Sequence, residues 1–114
     1  MEIREDRDGG ILVVAPVGRI DSNTSDALEK AVLGHVARGE KRVIIDLQGV
    51  EYISSAGLRV LILAANKLRP LGGQLVLCSL GKSVREVFEL AGLTALFAIE
   101  ASRELAGARL AGSA

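Results

Sequence analysis

The sequence predicts a single α/β domain with a largely parallel sheet, an N-terminal hairpin strand and about four helices. Short apolar runs alternate with segments of helical periodicity, and an Asp-Gly turn separates the first two runs. No linker, repeat or low-complexity segment interrupts the 114 residues. A chain of this length fits one domain, residues 1–114, with a core from about residue 3 to 110. Alternation of this kind favours parallel strands joined by right-handed crossovers.

The first part of the chain is predicted to form a hairpin, a helix and a buried strand. Ile3–Arg7 and Ile11–Val17 flank Asp-Gly-Gly, and Asp-Gly before β-branched residues is typical of a hairpin. Residues 21–25 are rich in N-cap types and precede apolar residues at helical spacing, and Gly39 ends this helix. Arg42–Leu47 contains a continuous β-branched run, which is typical of a buried parallel strand.

The rest of the chain is predicted to continue the alternation after a loop at Gln48–Ile53. Proline and glycine residues stop the second helix. In chain order, the expected elements are a helix from about Ser55 to Arg69, a strand at Gln74–Ser79, a helix at Ser83–Ala91, a strand at Ala95–Ile99 and an Ala-rich helix from Ser102 onward, which frays at Ala111–Ala114.

Composition argues against several kinds of partner. The 14 Lys and Arg residues balance 14 Asp and Glu residues, and no basic block favours nucleic acid or an anionic membrane. Cys78 is the single cysteine, which excludes an intrachain disulfide and favours a buried core thiol. The charged N-terminus does not resemble a signal peptide, and the longest nearly apolar run, Val60–Ala65, is too short to span a bilayer. We therefore expect a cytoplasmic protein without membrane insertion.

The sequence lacks the groupings that catalysis needs. The single histidine, His35, lies near the end of the first helix, where we expect a solvated or capping role. Ser54 and Ser55 lie in a turn that lacks the first glycine of a nucleophile elbow. No Walker sequence follows a strand, and the carboxylates are scattered without metal-ligand spacing. The sequence predicts a protein that is not an enzyme and that uses no cofactor or metal.

The turn Ser54-Ser-Ala-Gly57 is the most informative segment, because it opens a very apolar helix. A helix start presents unpaired N–H groups and the positive end of the macrodipole, so it stabilises an anion. A serine here can act as an N-cap, and a phosphate on the same hydroxyl also suits the helix end. The residues alone leave both roles open. On the same helix, Leu63 falls among the outward-facing polar residues, which makes it a candidate contact for a partner.

Four sequence blocks carry a resemblance to a known family. The blocks are Gly18-Arg-Ile-Asp21, Val43-Ile-Ile-Asp-Leu47, Tyr52-Ile-Ser-Ser-Ala-Gly-Leu58 and Gly72-Gly-Gln-Leu-Val-Leu-Cys78. They resemble the STAS domain and, more particularly, the stand-alone bacterial anti-sigma factor antagonists. The likeness runs from about Ile11 to Leu105, and the blocks occur in the family's order.

The resemblance implies a partner switch controlled by phosphorylation. In such antagonists the unphosphorylated protein binds an anti-sigma factor that is also a serine kinase, and thereby frees a sigma factor. The kinase phosphorylates a serine at the start of the second helix, the complex separates, and a phosphatase resets the cycle. The family's acceptor falls on Ser55, its aspartate falls on Asp21, and the adjoining loop positions fall on Ser22 and Asn23.

The sequence departs from the commonest family pattern on both sides of the acceptor. Ser54 replaces an acidic residue and becomes the second choice of acceptor, and Ala56 replaces a hydroxyl residue. Two other functions remain open, a STAS regulatory subunit of a membrane transport complex and a nucleotide-binding STAS module. Because loops after parallel strands open on one edge, we expect one contiguous partner face. Its members are Asp21, Ser22, Asn23, Ser55, Gly57, Leu58, Arg59 and Leu63.

Overall fold

In the computed structural model, residues 1–111 are described, and they form six strands and four helices. The mixed α/β class with an N-terminal hairpin is confirmed. Of the predicted fraying at Ala111–Ala114, Ala111 is instead the last residue of a helix, and residues 112–114 lie outside the described residues. The elements are β1 (Glu2–Asp8), β2 (Ile11–Ile20), α1 (Ser25–Ala37), β3 (Arg42–Asp46), β4 (Val50–Ile53), α2 (Ser55–Leu68), β5 (Gln74–Cys78), α3 (Lys82–Leu90), β6 (Ala98–Glu100) and α4 (Arg103–Ala111).

The sheet has the strand order β1-β2-β3-β5-β6, and β4 lies beside the last residues of β2. Only the pairing of β1 with β2 is antiparallel among the described strands. The tight turn between them uses Gly9 and Gly10 with φ of 58° and 82°, left-handed values that favour glycine. The predicted hairpin is therefore confirmed.

Strand β4 corrects the expectation of a loop at Gln48–Ile53. It has four residues and runs parallel to the end of β2. Val50 and Ile53 are buried, whereas Glu51 and Tyr52 between them are exposed. This pattern of two exposed residues between two buried ones does not follow the two-residue alternation by which a strand is recognised in a sequence. Its partner strand is distant in the sequence, and the pairing therefore appears only in the folded chain.

The last predicted strand is also displaced, from Ala95–Ile99 to Ala98–Glu100. Of the apolar residues just before it, Phe97 is buried in the core, whereas Leu96 is exposed. Phe97 is buried and packs edge-on against Phe88 of α3, with ring centroids 5.8 Å apart. An apolar run alone did not distinguish a strand from a loop that packs beneath a helix.

The helices divide unequally between the two faces of the sheet. The larger hydrophobic cluster joins α1, α2 and α3 to residues such as Val14, Ile20 and Ile45. The smaller cluster joins α4 to the alternate residues, such as Val13 and Ile44. Side chains of a strand alternate between faces, so the two clusters lie on opposite sides of the sheet. Helix α4 packs on β3, β5 and β6. On the same face, the C-terminal half of β2, around residues 15–17, lines an open groove.

Helix α4 is held by an ion pair between the partly exposed Arg103 and the buried Asp46, as well as by apolar contacts. The Asp46 carboxylate is 5% exposed and accepts hydrogen bonds from Arg103 at 3.0 and 3.2 Å. The backbone N–H of Gln48 donates to the other oxygen at 3.0 Å. These partners satisfy a charge that would otherwise be costly to bury. Under the same helix, burial raises the pKa of Cys78 to about 11, as suits the core thiol that the sequence predicts.

Candidate functional site

The pairing of β2 with β4 brings the two predicted site segments together. Ile20 and Ile53 are partners in the parallel register, and each is followed directly by a helix-starting segment. The backbone N–H of Ser54 donates to the carbonyl of Ile20 at 2.8 Å. Asp21 and Ser54 therefore begin at the same edge of the sheet, where neighbouring parallel strands end.

Ser54 is the N-cap of α2. Its backbone is extended, with φ of −91° and ψ of 174°, and its Oγ accepts a hydrogen bond from the N–H of Gly57 at 3.3 Å. Its carbonyl accepts from the N–H of Leu58 at 2.9 Å, which begins the helix. The hydroxyl of Ser54 thus satisfies one of the unpaired N–H groups of the helix start.

Ser55 is the first residue of α2 and has no such structural task. Its side chain is exposed, and its hydroxyl makes no hydrogen bond within residues 1–111. None of the residues in the first turn of α2 is acidic, so the positive end of the helix dipole is not offset locally. An anion attached to Ser55 would lie at this helix end. Of the two serines at this helix start, Ser54 has the capping role, whereas the Ser55 hydroxyl is not engaged by any described residue.

Gly57 and Leu58 correct the expected partner face, because both are buried. A Cβ atom on Gly57 would lie 2.6 Å from Cγ2 of Ile20 and 2.8 Å from Cγ1 of Ile53, closer than real contacts allow. The close approach that a glycine in the first turn requires therefore comes from the protein's own strands. These two residues belong to the core and hold α2 against the ends of β2 and β4.

The loop before α1 is built around Asp21. Its Oδ1 accepts a hydrogen bond from the N–H of Asn23 at 2.9 Å. Thr24 Oγ accepts from the N–H of Asp21 at 2.9 Å and donates to the carbonyl of Arg19 at 2.8 Å. Asp21 is partly buried, while Ser22 and Asn23 are exposed. The carboxylate therefore shapes the loop, and its Oδ2 forms no hydrogen bond with the described residues.

The outward side of α2 agrees only in part with the prediction. Arg59 is exposed, one turn beyond Ser55. Leu63 is partly buried, which corrects the expectation of an exposed side chain. The helix wheel of α2 distinguished the sheet side from the solvent side, but α1 also packs against α2. A neighbouring helix adds a second covered flank that the periodicity of α2 alone does not reveal.

Sequence reasoning missed two exposed residues beside the site, Arg19 and Tyr52. They are partners in the register of β2 with β4, and the Arg19 guanidinium lies 4.4 Å from the centroid of the Tyr52 ring. This distance is typical of a cation–π contact. The strand β4 would have been the signal for them, since it makes the two residues neighbours.

The remaining ligand-type side chains and the helices bear on other kinds of site. Within residues 1–111, no group of His, Cys, Asp and Glu side chains could hold a metal ion. His35 is not solvated as expected, since its side chain is 15% exposed and its Nε2 lies 3.0 Å from Glu5 on the hairpin. None of the helices described between residues 1 and 111 has the length and apolarity needed to cross a membrane.

Comparisons with known proteins agree on the family. The STAS domain family matches residues 2–106. BtrV of Bordetella bronchiseptica, named as a candidate anti-sigma factor antagonist, is 44% identical over 108 residues, covering 95% of this chain and 93% of BtrV. The crystal structure of an anti-sigma factor antagonist from Mycobacterium paratuberculosis is 29% identical, with a TM-score of 0.89, and the match covers 96% of this chain and 93% of that one.

A more distant structure shares the fold. The anti-sigma factor antagonist SpoIIAA in its unphosphorylated form has a TM-score of 0.76 at 16% identity, over 97% of this chain and 99% of SpoIIAA. SpoIIAA, a Bacillus cell fate determinant, has also been solved in its phosphorylated form, with a TM-score of 0.73 at 17% identity over 95% of this chain and 98% of that one. At these identities the likeness shows the fold alone.

Proposed function

This chain belongs to the STAS domain family, and we propose that it is an anti-sigma factor antagonist that works as a phosphorylation-controlled partner switch. In the unphosphorylated form it binds an anti-sigma factor that is also a serine kinase, and a sigma factor is freed. The kinase transfers the γ-phosphoryl group of ATP to Ser55, ADP leaves, and the complex separates. A phosphatase then restores the serine. The protein acts in the cytoplasm by binding another protein, without catalysis of its own.

This proposal rests mainly on the difference between the Ser54 hydroxyl, which caps α2, and the Ser55 hydroxyl, which is exposed. Ser54 Oγ is engaged with the N–H of Gly57, and its removal would leave a helix end uncapped. Ser55 is exposed and its hydroxyl has no hydrogen bond within the described residues. A kinase can therefore reach and modify Ser55 without breaking an interaction of the folded protein. This favours Ser55 over Ser54 as the acceptor.

The location of Ser55 also suits a modification that separates a complex without unfolding the antagonist. A phosphate adds about −1.5 to −2 charge units, and the positive end of α2 tolerates an anion there. In a protein interface the same anion would be desolvated beside a partner, which is costly unless the partner supplies a cation. The fold is expected to persist while the affinity for the kinase falls.

The partner face that we propose is smaller than the face expected from the sequence. Ser22, Asn23, Ser55 and Arg59 are exposed, and Asp21 is partly buried beside them. Leu63, which is partly buried on α2, also belongs to the proposed face. Gly57 and Leu58 support this face from the core. Both are buried, and Gly57 lets the start of α2 pack closely on Ile20 and Ile53.

Phosphorylation by the cognate anti-sigma factor kinase tests the acceptor directly. The purified chain is incubated with the kinase and ATP, and the phosphate is located by peptide mass spectrometry. We expect one phosphate on Ser55, none on Ser55→Ala, and a retained phosphate on Ser54→Ala. A phosphate on Ser54 that persists in Ser55→Ala would move the acceptor by one residue and contradict the proposed division of work.

A further inference from the structure

Arg19 and Tyr52 form an exposed pair at the edge of the sheet that carries Ser55. The guanidinium carbon of Arg19 lies 4.4 Å from the Tyr52 ring centroid, and Tyr52 is 38% exposed. Arg19 precedes Asp21 by two residues, and Tyr52 precedes Ser55 by three. The pair therefore stands next to both segments of the proposed partner face.

The backbone positions this pair through an irregularity in the sheet. Gly18 is the partner of Val50 and Arg19 is the partner of Tyr52, so Glu51 is an extra residue on β4. Gly18 has φ of 105°, a left-handed conformation that favours glycine. Bulges of this kind redirect the side chains that follow them. Here the pair is aligned on one face while Ile20 and Ile53 beside it turn into the core.

The positive charge of Arg19 is not neutralised by a carboxylate among the described residues. Arg19 forms no ion pair with any described residue. An exposed tyrosine stacked with an unpaired arginine is therefore available to another molecule. Tyrosine and arginine are also among the residues enriched at interface hot spots.

We infer that Arg19 and Tyr52 are a second contact point for the protein partner that docks at Ser55. The guanidinium pairs with a carboxylate of the partner, and the tyrosine ring packs on apolar surface around that carboxylate. Stacking holds the arginine in place before binding, which reduces the side-chain entropy lost on association. This inference rests on the proposed function and adds a site that selects the partner by charge.

Titration calorimetry with the purified kinase that phosphorylates Ser55 tests the inference. Arg19→Gln and Tyr52→Ala should each weaken binding about tenfold, while Tyr52→Phe keeps the ring and should bind like the wild type. The double variant should lose less than the product of the two single losses, because the residues act as a pair. Arg69→Gln, at the far end of α2, removes an exposed arginine as the matched control.

Two further measurements distinguish a failure of this inference from a failure of the proposed function. Arg19→Gln should reduce the salt dependence of the affinity, since a partner carboxylate loses its cation. If Arg19→Gln and Tyr52→Ala bind like Arg69→Gln while Ser55→Asp binds weakly, the second contact point is refuted and the switch stands. If Ser55→Asp also binds normally, the proposed switch fails as well. If Tyr52→Ala lowers the melting temperature, its affinity no longer tests the contact. The affinities of Arg19→Lys, which keeps the charge, and Arg19→Gln, which removes it, are then compared, and equal affinities would refute the charge contact.

Discussion

The starts of α1 and α2 resemble each other in sequence and differ in what their polar groups do. Both follow a strand end, and both are rich in hydroxyl side chains. At the start of α1, Thr24 forms no cap to the helix and instead bonds to Asp21 and the carbonyl of Arg19. At the start of α2, Ser54 caps the helix, and the Ser55 hydroxyl forms no hydrogen bond with the residues that the structure describes.

This difference explains why the two segments can share a surface and have separate tasks. The α1 segment uses its carboxylate and a hydroxyl to fix its own shape. The α2 segment satisfies its helix end with Ser54 and exposes Ser55, the residue that we propose as the acceptor.

Of the changes proposed at site residues, Gly57→Ala should have the largest effect on the free energy of unfolding, because its Cβ would overlap Ile20 and Ile53. We expect a loss of about 1–3 kcal/mol, measured by urea denaturation. Gly34→Ala, in α1, is the matched control. Its Cβ would meet only the flexible end of Arg38 at 3.6 Å, so this change should stabilise the chain by about 0.5–1 kcal/mol. Equal effects at the two glycines would show that the start of α2 is not tightly packed.

Leu63→Ala should have the next largest effect, a loss of about 1–2 kcal/mol in the free energy of unfolding, because this side chain is only partly buried. Leu61, on the same helix, is fully buried, and Leu61→Ala should cost about 2–5 kcal/mol. The same variants should be titrated with the kinase. If Leu63→Ala costs as much stability as Leu61→Ala, the residue belongs to the core; unchanged affinity would place the partner elsewhere.

The sequence predicted the alternation of elements well because each long element has its own periodic signal. The hairpin and α2 agree with their predicted bounds within a few residues. Strand β4 was not predicted, because its two buried residues are separated by two exposed ones and therefore do not alternate. The burial of Gly57 followed from that strand, since Ile53 is one of the two side chains against it.

The sequence identified several residues of the site, but it did not show what each of them does. The serine pair and Asp21 stood out in the sequence, but only hydrogen bonds distinguish a capping serine from a free one. Arg19 and Tyr52 are distant in sequence, and their stacking depends on the register of β2 with β4. Roles that depend on a long-range pairing cannot be assigned from local pattern.

Ser54→Ala and Thr24→Ala should have smaller effects on stability, about 1 kcal/mol each, and they sharpen the contrast between the two helix starts. Hydrogen exchange of backbone amides distinguishes them. Ser54→Ala should accelerate exchange at Gly57, which loses its acceptor, and Thr24→Ala should accelerate exchange at Asp21. Acceleration at Gly57 in Thr24→Ala would mean that the two segments do not act independently.

Phosphorylation of Ser55 should have the smallest effect on stability and the largest effect on binding. The phosphorylated and unphosphorylated proteins are compared by melting temperature and by calorimetric titration with the kinase. We expect the melting temperatures to agree within a few degrees, since Ser55 is exposed, and the affinity to fall by about a hundredfold or more. Loss of the fold on phosphorylation, or an affinity unchanged by it, would contradict the account of Ser55 as a switch that acts through charge in the interface.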